Sequence, residues 1–166
     1  MAKTPTDFVR ILASLHRHRV RFVVVGGVAA VVEGAPVATF DVDIVPDRGP
    51  ANIPRLIAAL RELEACYRAR RDLRRAPDGA ALAGDGHHLL MTRFGPLDVL
   101  GVVGAGRDFR QLVIHSRRRR LRGFYVRIVD LQTQIAIKEE LGYEKDRAVL
   151  PVLRQTLKLR KRAGAR

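Results

Sequence analysis

Residues 38–47 read ATFDVDIVPD, and the fold turns on how Asp41 and Asp43 sit in that run. Val42, Ile44 and Val45 surround the two acids, the pattern of a largely buried strand. Strand side chains point to alternate faces, so residues two apart share a face. The spacing therefore sets two carboxylates side by side. Like charges that close repel, and each raises the other's pKa unless something offsets them. A basic side chain, a metal ion or solvent at a strand end would meet that demand.

The flanking sequence narrows the choice. Upstream, RFVVVGG (21–27) reads as a short buried strand, Arg21 to Val25, running into Gly26 and Gly27. VAAVVEG continues it as a short helix that stops at Gly34. Glycines let the backbone approach a ligand closely, and a helix start offers free N–H groups to phosphate. Downstream, LDVL (97–100) places Asp98 alone in an apolar strand. A carboxylate buried there without a partner costs several kcal/mol. The three acids become sensible if they share a divalent cation, because Mg²⁺ takes hard oxygen ligands and substrate phosphates. Such sites favour in-line displacement of pyrophosphate. The chain has no G-x-x-x-x-G-K-[ST] and no G-x-G-x-x-G, so P-loop and dinucleotide-binding sites are excluded.

Gly26–Gly27, a short helix, T-x-D-x-D at Thr39–Asp43 and the apolar-Asp-apolar strand at Asp98 resemble the DNA polymerase β-like nucleotidyltransferase superfamily. GAPVATFDVDIV, GPLDVLG and LQTQIAIKEELGYEKDRAVLPVL are similar to its bacterial AbiEii-type, minimal-nucleotidyltransferase-like group, which includes toxins of toxin–antitoxin systems. The similarity runs from about Val20 to Leu157. It implies a Mg²⁺-dependent (or Mn²⁺-dependent) enzyme that moves a nucleoside monophosphate from a nucleoside triphosphate to an acceptor. It implies RNA as the acceptor, a tRNA 3′ end in toxin-like relatives, and an antitoxin protein as a partner. Carried over, Asp41, Asp43 and Asp98 are the catalytic and metal-holding acids, with Asp98 completing the metal site or acting as base. Gly26 and Gly27 bind the triphosphate, and Lys138, Lys145 and Asp146 match family residues near it.

Each residue also has a plainer reading. Thr39 bonds a phosphate or braces the turn before the strand. Lys138 contacts phosphate or pairs with Glu139 or Glu140, and Lys145 with Asp146 opens the last helix as a first-turn pair. His87 and His88 lack the further ligands a metal site needs and read as structural or exposed. Cys66 reads as a half-buried apolar residue.

The rest of the chain fits an α+β fold, a mixed sheet with helices packed on one side and a C-terminal helical segment. Residues 5–18 form an amphipathic helix capped by Thr4 or Thr6. IPRLIAALRELEA is a helix with Pro54 in its first turn. Residues 67–86 read as a polar loop or small insert. HHLLMTRFG and PLDVLGVVG form a hairpin turning at Gly95–Pro96, and a second hairpin turns at Arg122–Gly123. Asp130 caps a helix ending at Gly142, and a last helix breaks or kinks at Pro151. Residues 1–129 would be the nucleotidyltransferase core and 130–166 the helical segment packed on it.

The chain has 166 residues with 31 Lys and Arg against 17 Asp and Glu, a net charge of +14 that favours polyanions. Aromatics at 5% argue against a base-stacking platform for single strands. A lone cysteine, no apolar signal core and no bilayer-length apolar run predict a cytoplasmic protein without membrane association. A catalytically inactive module binding nucleic acid or a partner protein remains the alternative, as does a protein or small-molecule acceptor.

Overall fold

The computed structural model describes residues 6–164. The first helix, α1 (Phe8–Arg17), buries Ile11, Leu12 and Leu15. Its N-cap is Asp7, whose carboxylate accepts the Arg10 N–H at 3.0 Å. This corrects the expected threonine cap: a carboxylate both takes the free N–H and suits the positive helix end. Thr6 instead donates to the Phe40 carbonyl at 2.7 Å, and Thr4 lies outside the described residues.

β1 (Phe22–Val25) leads into α2 (Gly26–Val32), which gives way to Gly34 at φ +95°. β2 (Val42–Pro46) follows, then α3 (Ile53–Glu62) with Pro54 in its first turn. After β3 (Cys66–Tyr67) come a 3-10 helix (Arg68–Leu73) and the short α4 (Gly79–Ala83), capped by Asp78. β4 (His87–Thr92) and β5 (Gly95–Leu100) form a hairpin, and α5 (Phe109–Val113) carries a capping box from Asp108 and Gln111. β6 (Ser116–Leu121) and β7 (Phe124–Val129) form the second hairpin. α6 (Leu131–Leu141) is capped by Asp130 and ends at left-handed Gly142, and α7 is Glu144–Gly164.

The seven strands lie in the order β3-β4-β5-β2-β1-β7-β6. β1 pairs parallel with β7, and β2 pairs parallel with β5; the other neighbours are antiparallel. The fold is thus the expected mixed sheet with packed helices and a C-terminal helical segment. Val24, Val42, Ile44, Leu97, Val99 and Ile128 from the central strands are buried with the apolar faces of α1 and α3. Among the described residues no helix is long and apolar enough to cross a membrane.

Four local expectations change or narrow. The β4–β5 turn is Arg93–Phe94, not Gly95–Pro96, because Thr92 pairs directly with Gly95. Thr92 Oγ1 closes the turn, donating to the Gly95 carbonyl at 2.7 Å and accepting the Phe94 N–H at 3.1 Å. β5 stops at Leu100, and the chain then folds into a small loop closed by the Val103–Arg107 bridge. Residues 67–86, expected as a loop or small insert, take the second form: the 3-10 helix and α4 fill much of the stretch, with Leu82 buried. α7 runs through Pro151 without a break. Proline removes one backbone donor, but buried Leu150 and Leu153 on either side hold the helix to the core.

Glu33, at the end of α2, fastens α7 to the sheet edge. It is only 5% exposed. Arg119 of β6 donates to it through Nε at 2.8 Å, and Arg160 of α7 pairs with the same carboxylate and also bonds the Glu33 carbonyl at 3.0 Å. Removing one partner of a buried ion pair leaves uncompensated charge and costs about 3–5 kcal/mol. Glu33→Ala is expected to lose about 3 kcal/mol, near the lower end because both guanidiniums keep some water. Urea unfolding of the variant against wild type measures this, and an unchanged midpoint would show the clamp to be dispensable.

Candidate functional site

Strand register assembles the site. Val25 pairs with Asp43 across β1 and β2, Asp43 with Asp98 across β2 and β5, and Asp98 with Leu89 across β5 and β4. Paired residues in neighbouring strands point to the same face. Asp43 and Asp98 are therefore direct lateral neighbours, with Asp41 just before β2 completing the group. One carboxylate oxygen from each of Asp41, Asp43 and Asp98 lies within 4.8 Å of the others.

The electrostatics show the cost of that grouping. Burial, and then the charges of Asp41 and Asp98, push the Asp43 carboxyl up to about 7, against the lowering pull of Lys138 and Lys145. Burial also raises Asp98, opposed chiefly by Arg68, which pairs with Asp98 Oδ1. Three hard oxygen donors suit a divalent ion of the Mg²⁺ type. Ligands about 2.1 Å from such an ion lie at most about 4.2 Å apart, a small contraction of the observed cluster. Asp41, Asp43 and Asp98 would hold it.

Gly26 and Gly27 are explained by close approach. Gly26 has φ +67°, and a Cβ there would come within 2.9 Å of the Asp43 Cγ. A Cβ on Gly27 would come within 2.6 Å of the Thr39 Cβ. Thr39 in turn donates to the Asp41 carbonyl at 3.2 Å. Thr39 thus packs the α2 start against the approach to β2.

A cleft of about 380 Å³ opens over the acids, lined by Gly26, Asp43 and Asp98 and by α6 and α7 residues including Lys138, Lys145 and Asp146. Lys138 does not pair with Glu139 or Glu140. Its Nζ donates to Asp146 at 2.7 Å, while Glu139 takes Arg154 and Glu140 takes Arg107. Asp146 is buried and touches the site through Lys138. His87 bonds the Val102 carbonyl at 2.9 Å. His88 bonds Tyr67 at 2.8 Å and the Ala81 carbonyl at 3.1 Å, so it is structural. Cys66 is half-buried and free.

Sequence reasoning missed Arg68, which it left within a polar insert, and Gln134, which also lines the cleft. Gln134 stands one helical turn before Lys138, and that i, i+4 spacing was the available signal. Its Nε2 donates to the Val129 carbonyl at 3.1 Å, while its buried Oε1 has no partner among the described residues. Arg68 had no sequence signal, because its place depends on the β3–β4–β5 register.

Among solved structures, the fold resembles a crystal structure described as a "putative nucleotidyltransferase" from Thermotoga maritima. The TM-score is 0.56 at 16% identity, over 96% of this chain and 94% of that chain. At this identity the likeness establishes the nucleotidyltransferase fold alone. No protein-family model matches the chain, and no curated protein sequence matches it.

The raised Asp43 carboxyl has a measurable signature in the metal-free protein. Between the ordinary value of 3.8 and about 7, the folded protein holds a proton that the unfolded chain has lost. Stability therefore falls as pH rises through that window. Asp43→Asn is expected to flatten this slope and to melt higher than wild type near pH 8. Thermal melts from pH 5 to 8 without metal test it, and parallel wild-type and variant profiles would count against the raised pKa.

Proposed function

We propose that the protein is a Mg²⁺-dependent (or Mn²⁺-dependent) nucleotidyltransferase that moves a nucleoside monophosphate from a nucleoside triphosphate to an RNA hydroxyl. The observation that carries this reading is the convergence of Asp41, Asp43 and Asp98 within 4.8 Å, beside a glycine whose missing side chain admits the Asp43 carboxylate. In the reaction, the acceptor oxygen attacks the α-phosphorus. The bond from that phosphorus to the bridging oxygen breaks, and pyrophosphate leaves. Asp41 and Asp43, with Asp98 completing the group, would hold the metal. Asp98 orients the acceptor hydroxyl and takes its proton. Lys145 and Lys138 face the acids across the cleft and offset triphosphate charge, with Asp146 fixing Lys138 in place. Gly26 and Gly27 bring backbone close to the phosphates. A bound divalent ion supplies positive charge for the triphosphate and for in-line displacement.

The basic surface supports RNA as acceptor, as in the toxin-like relatives the sequence resembles. Arg117, Arg118 and Arg120 of β6 are exposed. The guanidinium of Arg118 stacks on Tyr125, 4.7 Å from its ring centre. The Glu33 clamp brings α7 alongside, and a groove of about 480 Å³ formed with the start of α6 is lined by Arg117, Arg160 and Lys161 as well as Glu33 and Asp130. Two basic elements held together against mutual repulsion suit a phosphate backbone.

Calorimetric titration of Mg²⁺ with each triphosphate tests the site. Wild type is expected to bind, and the Asp41→Ala, Asp43→Ala double variant to lose binding while staying folded. Equal binding by both would sink the assignment. For the acceptor, RNA affinity is expected to fall steeply with salt. Replacing Arg117 and Lys161 by Glu should flatten the log–log slope by about 0.7–0.9 per lost phosphate contact. A slope that salt leaves flat in wild type would exclude RNA.

A further inference from the structure

We propose that Arg68 is the resident cation of the acid cluster: its guanidinium occupies the charge-balancing place at Asp98 until a divalent ion loads, and metal loading and Arg68 release are one exchange. The inference rests on the metal-dependent reading above and adds a positioning residue to it.

The register carries the placement. Cys66 pairs with Met91 and Tyr67 with Leu90, and the 3-10 helix opens at Arg68 directly after that last pair. Leu89 pairs with Asp98, and Asp98 with Asp43. β3 thus ends beside the part of β4 that flanks Asp98, and from there the Arg68 side chain reaches Asp98 Oδ1.

The backbone beneath Arg68 is held firmly. Tyr67 N–H donates to the Arg75 carbonyl at 2.8 Å, closing the insert on itself. Tyr67 OH bonds His88 Nδ1 at 2.8 Å, and His88 Nε2 bonds the Ala81 carbonyl at 3.1 Å. Burial lowers the His88 pKa and favours the neutral ring; its Nε2 donates to the Ala81 carbonyl, which leaves Nδ1 to accept from Tyr67. The anchor is therefore rigid, while the side chain it presents is long and 29% exposed. That combination lets the guanidinium leave Asp98 without disturbing the sheet.

The charge balance supplies the reason. Three carboxylates meet here, and Lys138 is already paired with Asp146. Among the described residues, the ion pairs that reach the three acids come from Arg68 to Asp98. A divalent ion brought to the same oxygens competes with that guanidinium.

The experiment is Mn²⁺ binding in the absence of nucleotide, followed by the electron paramagnetic resonance of the free ion. Arg68→Gln is expected to bind Mn²⁺ about tenfold more tightly than wild type, a 1.4 kcal/mol change, with Arg68→Lys between them. An arginine that only anchors the insert predicts unchanged or weaker binding in the Gln variant, and that result overturns the exchange. A second measurement needs no fold-perturbing change. In ¹⁵N-labelled wild type, the Arg68 guanidinium resonance, assigned by its loss in Arg68→Lys, should shift with the same midpoint as Mg²⁺ binding. A resonance unmoved at saturating Mg²⁺ also overturns the proposal. Wild type that binds metal while these readouts stay fixed removes the exchange alone; absence of metal binding in wild type and Arg68→Gln alike removes both this inference and the metal-dependent function.

Discussion

The parallel pairing of β2 with β5 is the constraint on which the rest depends. It sets Asp43 beside Asp98, a placement that burial and mutual repulsion oppose. What holds the register is the other face of the same two strands. Val42, Ile44, Leu97 and Val99 are almost wholly buried there. A slip of one residue would turn those side chains out and drive the acids into the core. The hydrophobic face thus enforces an electrostatic arrangement that would not form unaided, and the site exists because the core is stable enough to impose it.

Two charge clusters of opposite construction follow from that frame. At the site, three carboxylates converge, with Arg68 and Lys145 facing them and Lys138 bound through Asp146. At the far edge of the sheet, one buried carboxylate, Glu33, is shared by two guanidiniums. The first cluster has negative charge to spare and suits a cation. The second leaves the surrounding surface strongly basic and suits a polyanion. Within a net charge of +14, three acids meet at the cleft while consecutive arginines line β6 beside the basic α7.

Several elements were legible because their signals are local. Asp130 and Gly142 bracket α6, Pro54 opens α3, and Arg122–Gly123 turns the second hairpin, with both residues at positive φ as a two-residue turn requires. Local signals also misled. Gly95–Pro96 carries strong turn chemistry, yet Thr92 closes the turn two residues earlier and leaves Gly95 and Pro96 in β5. Pro151 reads as a helix breaker, yet buried packing on both sides carries α7 through it. The insert at 67–86 has little apolar pattern, and its order comes from Tyr67, His88 and buried Leu82 meeting across it.

The acid group was legible in the sequence, because Asp41 and Asp43 are two apart at a strand start and an isolated aspartate in an apolar strand demands a partner, although β2 begins at Val42 and Asp41 joins from the bend before it. The sequence by itself also determined that Gly26 and Gly27 lie where a strand meets a helix. The tertiary structure decided what those residues touch. Only the paired strands show that Gly26 is glycine to admit the Asp43 carboxylate, that Gly27 is glycine to admit Thr39, and that Lys138 is held by Asp146. Only the pairing of β3 with β4 and of β4 with β5 brings Arg68 to Asp98. The reason is physical: side-chain periodicity is written along the chain, whereas register between distant strands is set by burial of the whole core.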